Sequence, residues 1–354
     1  MDGLLIVDKP AGPSSHDVVA RVRRALGERR IGHTGTLDPA ATGVLPLVLG
    51  RATRLARFLS TGDKAYEAVV HLGVATDTND AEGRAAGPSY PGALPSRDTI
   101  DRALDAFRGT FLQQPPAYSA KKIDGQRSYR LARGASRQLF YAGAGGPPVY
   151  TGAGTQLLYT GAGALPASPA LPASPALPAP VSVTTRAIDL IAFDGERVTL
   201  RVECSAGFYV RALAHDLGEQ LGVGAHLFSL RRTRSGDAAL DQALALDAIE
   251  RDPASGIRAV VPLSRMLPGL SSVVLTSEGV RRAVHGRDIG PADAQEGMGF
   301  VIRDLGFAEG VCESRAPNPQ SQAFVRLVDP AGELVAIAAP LEPSGLLHPA
   351  VVLM

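Results

Sequence analysis

The chain has 354 residues, 45% of them hydrophobic and 20% charged, with a formal net charge of +1. That balance fits a globular protein long enough for one large domain and a small one, and it excludes a disordered or uniformly basic chain. Two cysteines, Cys204 and Cys312, exclude a disulfide framework and lack metal-ligand spacing; no apolar run reaches the ~18 residues of a membrane span, so a cytoplasmic protein is expected.

Gly3 to Val7 has the composition of a short strand, and Asp8-Lys9-Pro10-Ala11-Gly12 turns out of it. Ser14 and Asp17 have capping-box spacing at the start of a helix that runs to Leu26, with Gly27 as its stop. Next comes the stretch from Gly32 to Pro46, Gly-His-Thr-Gly-Thr-Leu-Asp-Pro-Ala-Ala-Thr-Gly-Val-Leu-Pro. Its Gly, Thr and Pro content predicts a rigid, tightly turned loop around one carboxylate, Asp38. Pro39 biases Asp38 away from helical angles, so the backbone itself aims the side chain. This suits a nucleophile or a general base, although an Asp-Pro pair is more often an ordinary turn signal.

Leu45 to Gly50 has strand character, and a helix is expected from Arg51 to Ser60 with Arg51, Arg54 and Arg57 at three-residue spacing. Asp63 to Gly73 alternates as a strand containing Tyr66, and Thr76 to Gly83 is an acidic, hydroxyl-rich turn. Ser96 to Arg108 has helical periodicity. Gln113 to Tyr129 interleaves basic and aromatic residues, including Lys121 and Lys122, as segments that grip RNA do. From Gln138 to Pro180 there is no charged residue, and imperfect Tyr-Thr-Gly-Ala-Gly units give way to Ala-Leu-Pro-Ala-Ser-Pro repeats. Such composition cannot build much core, so a disordered insertion is expected over 138–180. Strands resume at Val181 to Val183 and Ala187 to Ile191, and Asp194-Gly195 marks a hairpin into Arg197 to Cys204. Ser205 to Gly218 is expected to be a glycine turn and then a helix, with Arg211 in its first turn, the unfavourable end of the dipole for a cation. Leu230, Arg231, Arg232 and Arg234 form a dense basic cluster. After Val261 come a short capped helix, Thr276 to Gly286, and a hairpin from Phe324 to Ala338, with Glu296 to Gln322 irregular between them.

Several of these stretches, in this order, resemble the motifs of the TruB family of bacterial tRNA pseudouridine(55) synthases. They are Gly32 to Pro46, Lys64-x-Tyr66, Gln113-x-Pro-Pro-x-Tyr-Ser-Ala-x-Lys122, Cys204-Ser-x-Gly-x-Tyr-x-Arg211, and the segment around Leu230. The resemblance implies an α+β fold: a mixed, largely antiparallel-sheet catalytic domain over 1–260 and a small PUA-like β-barrel over 261–354. It implies isomerisation of uridine 55 in the T arm of tRNA by base flipping, with Asp38 catalytic. Arg211 pairs with that aspartate, while Tyr66 and Leu230 wall the flipped uracil. His33 contacts phosphate or helps the flip. Lys9 lies beside the active-site floor and, with Lys121, Lys122, Arg231 and Arg232, is counted among the RNA-binding residues. The isomerisation is redox-neutral, so no metal and no cofactor is implied, and a monomer without an obligate protein partner is expected. Two other readings suit the same residues: an inactive tRNA-binding or tRNA-folding protein, and a hydrolytic nucleoside glycosidase, for which an aspartate near C1′ is also appropriate.

Overall fold

The computed structural model describes residues 1–117, 178–295, 324–341 and 344–354, and the backbone of two short strands at 122–123 and 126–127. The expected insertion over 138–180, apart from its last three residues, and the irregular stretch from Glu296 to Gln322 lie outside the described residues, as does Lys121. The chain divides into two compact units, one built from 1–39, 43–61 and 235–354, the other from 40–42 and 62–234. Among the described residues no helix is long and apolar enough to cross a membrane.

In the first unit the strand Gly3–Lys9 is central. It pairs antiparallel with Thr42–Leu49 along its whole length, from Gly3 opposite Leu49 to Lys9 opposite Gly43. Its other edge meets Leu244–Ala245 in parallel and Val261–Pro262 antiparallel. A strand paired on both edges and covered on both faces needs an apolar run, which Leu4 to Val7 supply. The helix Ser15–Leu26 starts as its sequence predicts: Ser14 and Asp17 form both hydrogen bonds of a capping box, and Gly27 ends it in the left-handed region at φ 65°. Asp replaces the usual Glu here without loss of the reciprocal bond.

The C-terminal segment overturns one expectation. Among the described residues it forms a four-stranded sheet in the order Ser272–Val274, Val325–Val328, Leu334–Leu341, Leu346–Val352, and this sheet is not closed into the expected PUA-like β-barrel. Closure requires edge strands that meet with matched tilt and shear. One edge here is a three-residue strand held in parallel, and the other contains Pro349, which cannot donate to a further ladder. The helix Ser277–Val284 covers a face instead, packing Val280, Ala283 and Val284 on Val325, Leu327 and Val335. The mixed, largely antiparallel α+β character of the chain stands.

A second apolar cluster of this unit joins Leu4, Ile6, Val44 and Val48 to Leu263, Met266, Val328, Leu334, Ile337 and Leu353. The C-terminal segment is therefore part of the core under the paired strands Gly3–Lys9 and Thr42–Leu49. Each such side chain is worth ~1.5–3 kcal/mol on burial, and together they rival the ~5–15 kcal/mol that stabilises a whole domain. Truncation after Pro262 is expected to give an aggregating or molten protein by circular dichroism and gel filtration. A truncated chain that stays monodisperse and melts cooperatively would show that the face of these two strands needs no cover.

In the second unit Lys64–Leu72 pairs antiparallel with Arg197–Cys204, which pairs with Val181–Phe193, which pairs with Gly109–Gln113. The strand Ala225–Ser235 lies on the free edge of Lys64–Leu72. Val181–Phe193 is one strand rather than the two short ones its sequence suggests, because register shifts after Thr185 and after Leu190 carry it past its irregular positions. Tyr66, Ala68, Val70 and Leu72 point from alternate positions into a core shared with Ile100 and Leu104 of the helix Arg97–Leu104 and with Leu213 and Leu217 of the helix Val210–Leu221.

Candidate active site

In the first unit the loop carrying Asp38 is pinned on both sides of that residue. The Ser15 hydroxyl accepts from the Leu37 amide at 2.8 Å and donates to the Leu37 carbonyl at 3.0 Å. On the other side the Pro39 carbonyl accepts from the Gly12 amide and from the Lys9 ammonium, both at 2.9 Å. Gly12 adopts φ 105°, a conformation a side chain would strain. The Leu37 side chain is buried, whereas Asp38 itself remains partly exposed. Four bonds to backbone atoms of the flanking residues thus fix the Cα–Cβ direction of one carboxylate while leaving it reachable, which is the geometry of a preorganised reacting group. Ser15 and Gly12 were not singled out by sequence reasoning. The one available signal was a second serine beside Ser14, where the helix cap needs only one.

Lys9, expected among the RNA-contacting residues, is buried with no exposed surface. Its ammonium spends its donors on the Pro10 and Pro39 carbonyls, each at 2.9 Å. A buried cation must be hydrogen-bonded to be tolerated, and here those bonds brace the Asp38 loop. The His33 ring meets the His16 ring edge-on, with centroids 5.2 Å apart. The regularly spaced arginines are engaged within the same unit: Arg51 pairs with Asp2 at 2.9 Å, Arg54 donates to the Val352 carbonyl at 2.7 Å, and Arg57 lies over the Phe58 ring.

In the second unit Arg211 opens the helix Val210–Leu221 and is 8% exposed. Its Nη1 lies 3.5 Å from a carboxylate oxygen of Asp80 and donates to the Thr78 carbonyl at 3.2 Å. The other Asp80 oxygen accepts from the Thr78 hydroxyl at 2.5 Å and the Glu82 amide at 3.2 Å. This turn is tied to the strand Ala225–Ser235 by bonds from the Leu227 amide to the Asn79 carbonyl and from the Ala81 amide to the Leu227 carbonyl, both 3.0 Å. The acidic turn, read from sequence only as a turn, therefore delivers a carboxylate to the arginine. That accounts for a cation at the unfavourable end of a helix dipole. The entry to the helix is fixed as well, since the Gln113 side-chain amide brackets Tyr209, accepting from its amide at 2.8 Å and donating to its carbonyl at 3.0 Å.

Tyr66 is 8% exposed and belongs to the core cluster against which Leu230 packs. Arg232, expected at the RNA surface, is 2% exposed, with the Tyr66 side chain beside it. Burial disfavours its charge, and the contact with Tyr66 offsets part of that cost. Lys64 is also buried, and burial, reinforced by the Arg232 charge, pulls its ammonium down to about 8. Burial pushes the neighbouring Cys204 thiol up to about 12, which leaves it an inert core group. Arg231 remains half-buried, with Nη1 3.4 Å from the Thr42 hydroxyl. Lys122 lies in a two-residue strand paired with Gln126–Arg127.

Comparison with known proteins places these residues in a family. The model of the TruB family pseudouridylate synthase N-terminal domain matches residues 23–138, and that of the tRNA pseudouridylate synthase B C-terminal domain matches 211–267. The chain is 37% identical to a tRNA pseudouridine synthase B of Solibacter usitatus over the whole of both chains. It is 40% identical to the Gloeobacter violaceus protein of the same name, covering 90% of this chain and 98% of that one. Among solved structures, an H/ACA ribonucleoprotein bound to a substrate RNA containing 2′-deoxyuridine has a chain of the same fold. That chain is 22% identical, with a TM-score of 0.62, and the match covers 99% of this chain and 85% of that one. Full-length identity at this level, with matches to the models of both family domains, establishes that the chain belongs to the TruB family of tRNA pseudouridine synthases.

Proposed function

We propose that the chain isomerises uridine 55 in the T arm of tRNA, with Asp38 as the carboxylate that acts on the flipped nucleotide. As a TruB-family synthase it is an enzyme that converts uridine to pseudouridine in tRNA. The observation that carries the finer reading is the Asp38 loop, where four hydrogen bonds hold the backbone on both sides of a partly exposed carboxylate. The reaction breaks N1–C1′, turns uracil in its pocket and joins C5 to C1′, so it needs a fixed charge at C1′ or at the ring and walls that retain the detached base. Asp38 supplies the charge; Tyr66 and Leu230, in one apolar cluster, supply the walls. Arg211, whose position is fixed by Asp80 and Thr78, serves the Asp38 carboxylate in the reacting complex. Phosphate contacts fall to residues such as Arg231, Lys121 and Lys122, and His33 assists the flip. The enzyme works on cytoplasmic tRNA as a monomer.

The choice of substrate is tested with an isolated T-arm stem-loop. Conversion of the uridine at position 55, and none when that position is cytidine, is the expected result. Modification that persists at another uridine of the cytidine variant would reject the T-arm assignment.

A further inference from the structure

The helix Val210–Leu221 begins without a cap of its own. Its cap residue, Tyr209, gives no side-chain hydrogen bond to the first turn, and no acidic residue stands there to complement the dipole. The missing support comes from another strand. Gln113, the last residue of Gly109–Gln113, is 1% exposed, and its side-chain amide reaches the Tyr209 backbone. Oε1 accepts from the Tyr209 amide at 2.8 Å, and Nε2 donates to the Tyr209 carbonyl at 3.0 Å. The same carbonyl accepts from the Leu213 amide at 3.1 Å, the first bond of the helix.

The pairing has one orientation. A primary amide carries an acceptor oxygen and a donor nitrogen, and the Tyr209 backbone offers one donor and one acceptor in return. An apolar side chain would leave both backbone groups unanswered, and a carboxylate or an ammonium would answer one. The base from which Gln113 reaches is itself fixed. Gln113 stands opposite Val181 in the ladder with Val181–Phe193, and the neighbouring Gln114 side chain donates to the Pro178 carbonyl at 2.7 Å. Two positions after Tyr209, Arg211 leaves the first turn of the helix and meets Asp80 at 3.5 Å and the Thr78 carbonyl at 3.2 Å. Arg211 is therefore held at both ends, its guanidinium by the acidic turn and its backbone, through Tyr209, by Gln113. With the head anchored, any shift of the helix entry has to be absorbed by the side chain between them.

We propose that Gln113 is a positioning residue for the isomerisation: by clamping Tyr209 it sets where the first turn of the helix begins, and so how the Arg211 guanidinium is presented to the Asp38 carboxylate. This rests on the reading that Arg211 serves Asp38 in the reacting complex. It also separates Gln113 from the basic and aromatic residues that follow it in sequence, assigning it to the rate of the reaction and not to the grip on RNA.

The test is a double-mutant cycle of Gln113→Met and Arg211→Lys on the single-turnover rate at saturating enzyme, with tRNA affinity measured alongside. Methionine keeps the length and volume of the side chain and loses both hydrogen bonds. Gln113→Met is expected to slow the bound reaction by about 30-fold, short of the ~10²-fold that a 1 Å misplacement can cost. Affinity for tRNA is expected to change less than about threefold, well under one decade. In the Arg211→Lys background the same change is expected to cost less than about threefold in rate, because residues that act through one contact do not add. Gln113→Glu, which keeps the shape and the acceptor for the Tyr209 amide, is expected to recover part of the rate, and it replaces Gln113→Met in the cycle if the latter does not fold. Losses that multiply in the double variant would overturn the proposal, since a helix weakened for other reasons would slow both backgrounds alike. A Gln113 variant that weakens tRNA binding at an unchanged saturated rate would overturn it too, as would a folded one with normal turnover where Arg211→Lys is slow. Near-normal turnover of Arg211→Lys would instead remove the reading of Arg211, and the proposal with it.

Discussion

Asp38→Asn is expected to abolish turnover, lowering the saturated rate by more than about 10⁴-fold, while leaving affinity for tRNA within about tenfold, or ~1.4 kcal/mol. Asparagine preserves the size of the side chain and much of its hydrogen bonding, but it removes the negative charge and nearly all nucleophilicity. The loop itself is expected to survive the change. Its geometry is fixed by Ser15, Gly12 and Lys9 acting on the backbone of Leu37 and Pro39, and none of those four bonds uses the Asp38 side chain. Loss of rate therefore reports on chemistry and not on collapse of the turn. Circular dichroism and a melting curve provide the control. A folded Asp38→Asn enzyme with a substantial fraction of wild-type turnover would reduce this loop to a rigid turn.

Arg211→Lys is expected to lower the saturated rate by at least about 100-fold, although charge is conserved. In the structure one guanidinium nitrogen already serves both Asp80 and the Thr78 carbonyl. The planar fork leaves its other donors aimed in directions set by that anchorage. A lysine ammonium is a single point on a flexible stem; it can satisfy Asp80 or reach elsewhere, but it cannot hold two fixed directions at once. Single-turnover kinetics at saturating enzyme distinguish this from weakened binding. Near-normal turnover would assign Arg211 to an ion pair that serves only the fold.

Local sequence carried those parts of the fold that local physics decides. The capping box of Ser14 and Asp17, the Gly27 stop, the Asp194-Gly195 hairpin and the alternating strand through Tyr66 all form where composition and periodicity put them. The supports of the site were less legible, because each depends on residues far apart in the chain. Ser15 is 22 positions from Leu37, and Arg211 is well over a hundred positions from the turn that holds it. A basic cluster such as Leu230 to Arg234 has no visible inside or outside until its strand is placed against a neighbour. Arg232 then proves buried while Arg231 stays half-exposed. The C-terminal hairpin was legible as two strands, whereas Ser272–Val274 and Leu346–Val352 were not, and an open sheet and a closed barrel share the same alternation. Only pairing distinguishes them, and among the described residues a three-residue edge and Pro349 leave the sheet open.

The central claim, isomerisation rather than glycoside hydrolysis or RNA binding alone, is tested most directly with tRNA carrying tritium at C5 of its uracils. Pseudouridine formation replaces the C5–H bond by a C5–C1′ bond. The account therefore predicts release of one tritium per tRNA into solvent, with no free uracil. Free labelled uracil would show a hydrolase, and neither release nor free base from a folded, tRNA-binding enzyme would contradict catalysis.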